Sequence, residues 1–258
     1  EYLPANIQSE DLNSVVAFLI NAVICIIAVC VVNIGSAPIL IYMERKVCAH
    51  VQCRLGPMRL SWHGTLQTIA DVIKMLFKEV YAPSGADKLM FYLAPLIVLI
   101  APFIVCALIP FDKNLVVADV SMGIPLIIAV NGFGVLGILL GGWSSNNKYS
   151  LLGALRSGAQ MISYEISFAM ILLFVVMISG STNLMSITLG QEGTIADWWI
   201  FKIPVLGIVA FILFFISSTA EMNRAPFDIA EAEQELTGGY HTEYNGTPFA
   251  MFYLDEYI

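Results

Sequence analysis

Six carboxylates fall within one short stretch, STAEMNRAPFDIAEAEQELTGGYHTEYNG, residues 218–246: Glu221, Asp228, Glu231, Glu233, Glu235 and Glu243, with Arg224 as the one Lys or Arg among them. The chain holds only 20 Asp and Glu residues in all, so the clustering asks for a chemical reason. Pro226 suits the first turn of a helix, and Gly238 and Gly239 suit its end, which predicts a short helix over 226–237. On it Asp228, Glu231 and Glu235 share one face, at i, i+3 and i+7, while Glu233 points elsewhere. The helix dipole favours acids only over the first turn, and Glu231 and Glu235 repel each other when both are ionised. Helix stability therefore does not account for the set. Held together in a partly dry place, such acids cannot all ionise near neutral pH, and they can give and take protons. The plainer alternative is a solvated acidic loop.

Three further positions bear on that choice. Glu165 lies inside the apolar run MISYEISFAMILLFVV, where an ionisable group is costly and points to function. Glu221 closes another apolar run, and Glu44, in IYMERK, closes the first. Three candidate spans thus bring a carboxylate to similar depth, which suits a proton relay. For Glu44 the simpler reading is a surface pair with Arg45 or Lys46.

The elements that position these acids are transmembrane helices. The 258 residues are 58% hydrophobic and 12% charged, against roughly 25% charged in soluble domains. An α-helix needs roughly 20 apolar residues to cross the hydrocarbon layer. Runs at about 15–41, 90–110, 122–142, 157–179 and 201–219 qualify, and a sixth begins at 249–258, where its break reads as truncation. The fold class is an all-α polytopic membrane protein, one transmembrane domain over 1–258. The net charge of −8 argues against nucleic acid. The acidic N-terminal tail lacks the basic region of a cleaved signal.

Lys and Arg collect in the first loop (Arg45, Lys46, Arg54, Arg59, Lys74, Lys78, Lys88), the third (Lys148, Arg156) and the fifth (Arg224). The positive-inside rule then puts these loops in the cytoplasm or its organellar equivalent, and the N-terminus outside. The acidic loop, 220–247, is on the inner side. Within the first loop, residues 64–81 carry Leu66, Ile69, Ile73, Leu76, Phe77 and Val80 at helical spacing opposite Gln67, Asp71, Lys74 and Lys78. Too polar to span, this helix is expected in the interface plane.

Two tempting motifs carry less. GFGVLG (Gly132, Gly134, Gly137) matches a dinucleotide fingerprint but lacks the strand that motif needs; Gly137 and Gly141 instead form a small-residue packing face. NGT at Asn245 matches a glycosylation acceptor, but on the inner side that chemistry does not occur. Cys48 and Cys53 are a lone pair, a weak metal signal, and Cys25, Cys30 and Cys106 lie in apolar runs. No metal site and no iron–sulfur cluster is expected.

The stretches MERKVCAHVQCRLGP, QTIADVIKMLFKE, ALRSGAQMISYEISFAMILL and EMNRAPFDIAEAEQELTGGYHTEYNGTPFAMFYLDEY resemble the H-subunit family of proton-pumping NADH:quinone oxidoreductase, respiratory complex I. The likeness is collinear from about residue 37 to the end. It implies eight spans in the whole protein, an inner bacterial or organellar membrane, and partners in the membrane and soluble arms. It implies a quinone tunnel framed by the first span, the interfacial helix and the sixth span, with quinone as substrate and no flavin or iron–sulfur cluster on this chain. Residue by residue it implies proton coupling through Glu44, Asp71, Glu165, Glu221, Asp228, Glu231, Glu233 and Glu235. It assigns the tunnel to Arg45, Arg54, Arg224 and Glu243, with Arg45 and Arg54 placed to hold the acidic loop. Some relatives carry another acid in the third span, where this chain has Asn131. Membrane-bound hydrogenases carry related subunits. A stand-alone cation/proton antiporter would also use intramembrane acids, but no internal repeat is found. A purely structural anchor would leave Glu165 unexplained.

The orientation can be tested directly. A reporter fused near Gly239 is expected on the inner side and one at the N-terminus outside; the reverse pattern overturns the assignment.

Overall fold

The computed structural model describes residues 5–112, 116–224, 226–228 and 238–257, with side chains at Ile20 and from Val23 onward. The helices are α1 Ala5–Val51, α2 Gln67–Phe77, α3 Lys88–Leu108, α4 Gly123–Ser144, α5 Lys148–Ser179, α6 Leu184–Leu189, α7 Trp199–Lys202, α8 Pro204–Glu221 and α9 Gly246–Asp255. Among the described residues, five helices are long and apolar enough to cross a membrane: α3, α4, α5, α8 and the Val23–Val51 portion of α1. The protein is thus a polytopic helical membrane protein.

Local chemistry sets the helix ends. Asn147 accepts the Tyr149 N–H at 2.9 Å and caps α5. At the other end of α5, Gly180 takes a left-handed φ of 69°, the usual terminator. Pro204 begins α8, where its missing N–H costs nothing. Pro38, by contrast, does not end α1, which runs on to Val51. Glu44 and Arg45 therefore stand on that helix and not in a loop.

Inside a hydrocarbon layer, burying apolar side chains gains little, because lipid is equally apolar. Close backbone approach and hydrogen bonds hold the bundle instead. A Cβ at Gly137 would collide with Val98 of α3, and one at Gly142 with Ala154 of α5. Gly141 faces Phe252 and Tyr244. The expected packing face of Gly137 and Gly141 is thus present, and it also seats the segment that follows α8. Ile166, Met170, Val205 and Phe215 remain exposed on the outer faces, as lipid contact requires.

The segment from Gly238 through α9 is the keystone of the core. Phe91, Val98, Ile138, Tyr240, Tyr244 and Phe252 form one buried cluster. The Phe91 and Tyr244 rings stack with centroids 4.2 Å apart. The Tyr244 hydroxyl donates toward the carbonyls of Phe91 (3.2 Å) and Gly141 (3.3 Å). Burial pushes the Tyr244 phenol up to about 12, against the opposing bond to Ser144, so it stays a donor. Ser150 donates to the Tyr240 carbonyl at 3.1 Å. Gly153 lets the 239–240 backbone approach: a Cβ there would lie 2.8 Å from the Gly239 carbonyl carbon and the Tyr240 nitrogen.

Helix α2 lies beside α1 and α9. Its Ile69, Ile73, Leu76 and Phe77 are exposed, the pattern of a helix resting in an interface. It is tied back by Asp71, which takes a bond from Arg45 Nη1 at 2.5 Å and one from Gln67 at 3.2 Å. Tyr42 adds a bond to the His63 carbonyl at 2.9 Å. Partial burial raises the Asp71 pKa, but the bonds from Arg45 and Gln67 outweigh it and leave the carboxyl below its usual range.

Two outcomes follow. Gly153→Ala is expected to cost about 1–3 kcal/mol by overpacking and to lower the unfolding midpoint in detergent; an unchanged midpoint refutes the close approach. The Asp71 tie strengthens docking above the free-carboxylate value, about 3.9, and is lost as pH falls through the lowered folded value. Being half exposed, the pair contributes no more than about 1 kcal/mol. Spin labels on α1 and α2 should hold a fixed separation near neutral pH and broaden in acid, and Asp71→Asn should broaden it at both.

Candidate functional site

Two carboxylates meet between α5 and the end of α8. Glu221 is the last residue of α8 and accepts a bond from Asn131 Nδ2 of α4 at 3.1 Å. Glu165 of α5 lies close enough for its charge to act on Glu221. It has room because the neighbour of Asn131 is Gly132: a Cβ there would meet Glu165 Oε1 at 3.3 Å. The glycine that mimicked a dinucleotide motif thus leaves space for a carboxylate.

The turn after Glu221 is pinned to α5. Gln160 Nε2 donates to the carbonyls of Ala220 and Phe227, both at 2.8 Å, satisfying chain-end acceptors that a helix leaves open. Asn223 sits at φ 49°, a left-handed conformation that Asn tolerates better than most residues. Its amide donates to Ser157 at 3.1 Å. These bonds fix where Glu221 and Arg224 point.

A cavity of about 400 Å³ opens beside Glu221. Its polar lining includes Asn33 of α1, Asn131, Glu221, Asn223, and Asp255 and Glu256 at the end of α9. No Lys or Arg is among the described residues that line it.

On the other side of Glu256 the charges are paired. Arg224 Nη1 donates to Glu44 Oε2 at 2.8 Å, and its Nη2 lies 3.9 Å from Glu256. The guanidinium also sits 4.0 Å over the Tyr257 ring, a favourable cation–π placement. Burial works against the Arg224 charge, but its bonds to Glu44 and Tyr257 prevail and raise its pKa. Tyr257 donates to Glu44 at 2.8 Å, and the Tyr253 and Tyr257 hydroxyls are 3.0 Å apart. Tyr253 in turn reaches Arg45, which holds Asp71. A continuous polar chain therefore runs from α2 through Asp71, Arg45, Tyr253, Tyr257, Glu44 and Arg224 to Glu256 at the cavity.

Of the residues singled out from the sequence, Glu44, Arg45, Asp71, Glu165, Glu221 and Arg224 are brought together. Glu44 pairs with Arg224 and not with Arg45 or Lys46, because the 221–224 turn swings the guanidinium against α1. Arg54 lies apart, exposed, bonding to Gln52 at 2.6 Å. Glu243 accepts from Asn147 at 2.5 Å, at the start of α5. Asp228 is exposed. Glu231, Glu233 and Glu235, with most of the expected 226–237 helix, lie outside the described residues. Cys48 and Cys53 are exposed free thiols, and among the described residues no group of three or more His, Cys, Asp or Glu could hold a metal. Sequence reasoning passed over Asn33, Gln160, Tyr253, Asp255, Glu256 and Tyr257. Asp255 and Glu256 had a readable signal: FAMFYLDEYI places two acids in an apolar run, the same rule that marked Glu165.

Comparison with known proteins places this geometry in a family. The family model described as NADH dehydrogenase matches residues 22–258. The H subunit of the NADH-quinone oxidoreductase of Bacteroides thetaiotaomicron is 48% identical over 234 residues, covering 90% of this chain and 64% of its own length. That of Phocaeicola vulgatus is 47% identical, covering 94% and 67%. The second of the numbered H subunits of Geobacter metallireducens is 44% identical, covering 96% and 76%. The chain thus spans about two thirds of the length of the first of these relatives. With a match running through every element that builds the site, the chain belongs to the NADH dehydrogenase family, alongside the H subunits of NADH-quinone oxidoreductases.

Proposed function

We propose that this chain is the membrane subunit of a respiratory NADH:quinone oxidoreductase that admits quinone and couples its reduction to proton translocation. The observation that carries the reading is the Glu165–Glu221 pair, set within the membrane-spanning helices, with Glu221 lining a cavity. A purely structural anchor has no use for such a pair, since each ionised group in a membrane interior costs free energy. The names of the relatives, H subunits of NADH-quinone oxidoreductases, supply the substrate class.

In this reading the electrons come from partner subunits, and this chain supplies no redox centre. Quinone approaches between α1, α2 and α9, where Arg45, Asp71, Glu44, Arg224 and the two tyrosines form a polar wall. Reduction delivers negative charge and then draws protons. The acidic loop, with Asp228, Glu231, Glu233, Glu235 and Glu243, lies on the inner side and provides them. Loss of a proton from one carboxyl changes the field at its neighbours, and one pKa unit corresponds to about 1.36 kcal/mol. The chain Arg224–Glu44–Tyr257 transmits that change toward Glu221 and Glu165. Each proton released by one carboxyl is taken up by another or by the quinol.

Three experiments test this. In the assembled complex, Glu165→Gln and Glu221→Gln are expected to lower coupled proton translocation about tenfold, a barrier of about 1.4 kcal/mol; normal pumping per electron in both means the pair is structural. Arg224→Ala leaves Glu44 without its cation and is expected to raise the apparent quinone KM, and an unchanged KM removes Arg224 from the quinone wall. For the acidic loop, Asp228→Asn, Glu231→Gln and Glu235→Gln should each shift the pH–rate profile of quinone reduction toward lower pH, because neighbours relieved of a like charge ionise more readily. Glu233→Gln should shift it less, and four unshifted profiles would mark a solvated loop.

A further inference from the structure

The cavity beside Glu221 contains an acid and an amide that the coupling scheme above leaves unused. Asp255 closes α9 and lines the cavity, near enough to Glu221 for the two charges to interact. Asn33 lines it from the opposite wall, on α1. Asn33 is only 4% exposed; its amide reaches the Cys106 sulfur, a weak acceptor, and its nitrogen has no nitrogen or oxygen partner among the described residues. A buried donor of that kind needs an acceptor. A cavity of about 400 Å³ has room for several waters at roughly 30 Å³ each, and one of them can accept from the Asn33 amide.

Glu221 is thus flanked by two different groups. On the α4 side stands Asn131, a donor that cannot carry a proton between carboxylates. On the α9 side stands Asp255, which can. We infer that Asp255 is a proton-holding residue of this cavity, joined to Glu221 through water positioned by Asn33. The step has no net covalent cost: a proton leaves one carboxyl through water as the other carboxylate takes one up. Glu256, the next residue, lines the cavity too but also lies 3.9 Å from Arg224, so of the two adjacent acids it is the one beside a cation. The inference rests on the coupling reading given above.

The test uses the assembled complex in sealed vesicles and reads protons moved per electron. Asp255→Asn is expected to lower that ratio about twofold or more, equivalent to roughly 0.4 kcal/mol or more in coupled rate. Asp255→Glu should retain it. The exchange Asn131→Asp with Asp255→Asn, which moves the acid to the other side of Glu221 with nearly the same side-chain volumes, should restore it. Asn33→Leu should lower it as Asp255→Asn does. An unchanged ratio in Asp255→Asn overturns the inference, and so does a lowered ratio that neither Asp255→Glu nor the exchange restores, which marks a packing residue. Should Asp255→Asn fail to assemble, infrared difference spectra on quinone reduction decide. A protonated-carboxyl band displaced in Asp255→Glu supports the role, and a spectrum identical to that of the unsubstituted protein overturns it. Loss of coupling in Glu221→Gln without any in Asp255→Asn refutes this inference alone; no loss in either refutes the broader reading.

Discussion

A hydrocarbon layer offers no partner to a polar group, and every polar feature of this molecule answers to that constraint. Several of the charges and amides that enter the bundle come with a complement. Arg224 arrives with Glu44 and the face of Tyr257. The Ala220 carbonyl at the end of α8 meets Gln160. Glu221 meets Asn131. The bundle is held less by apolar burial, which lipid equals, than by glycines that let backbones touch and by these satisfied groups. The Asn33 amide nitrogen and Gln160 Oε1 are among the buried atoms left without a nitrogen or oxygen partner, and Asn33 lines a cavity that can hold water.

The same constraint explains why the segment after α8 is so firmly seated. Its backbone must enter a region without bulk water, so Tyr240 and Tyr244 are fixed by hydrogen bonds and ring stacking against α3, α4 and α5. That anchoring determines where α9 begins and ends. It sets Phe252 in the core and delivers Asp255, Glu256 and Tyr257 to the space between α1 and α8. A packing arrangement thus becomes a chemical one.

Two electrostatic environments adjoin there. From α2 to Glu256 the groups are ion pairs and hydroxyls, in which Arg224 is held charged and Asp71 is kept below the usual carboxylate range. Such pairs fix charge and shape. Around the cavity the charged lining is carboxylate alone, set among neutral amides, hydroxyls and apolar side chains. Carboxylates so placed have reason to share protons, because like charges in a dry place resist ionising together. Arg224 with Glu256 stands on the border between these two environments.

The sequence by itself determined much of this. Apolar runs of sufficient length dictate helices that cross a membrane, since no other open-chain element satisfies its own backbone there. The cost of a charge in such a run is enough to mark Glu165 and Glu221, and the spacing of Gly137 and Gly141 announces a close helix contact. Asp71 drew notice only as an acid near basic neighbours. The tertiary structure alone decided the pairings. It gave Glu44 to Arg224, 180 residues away, Asp71 to Arg45, and Glu221 to Asn131, and it set Arg54 and Glu243 apart. It also turned Gly132 into the gap that receives Glu165. Helical periodicity reports only which residues share a face of their own helix. Which helix that face meets, and at what depth, depends on backbone approach across the bundle, and no local pattern in the chain encodes it.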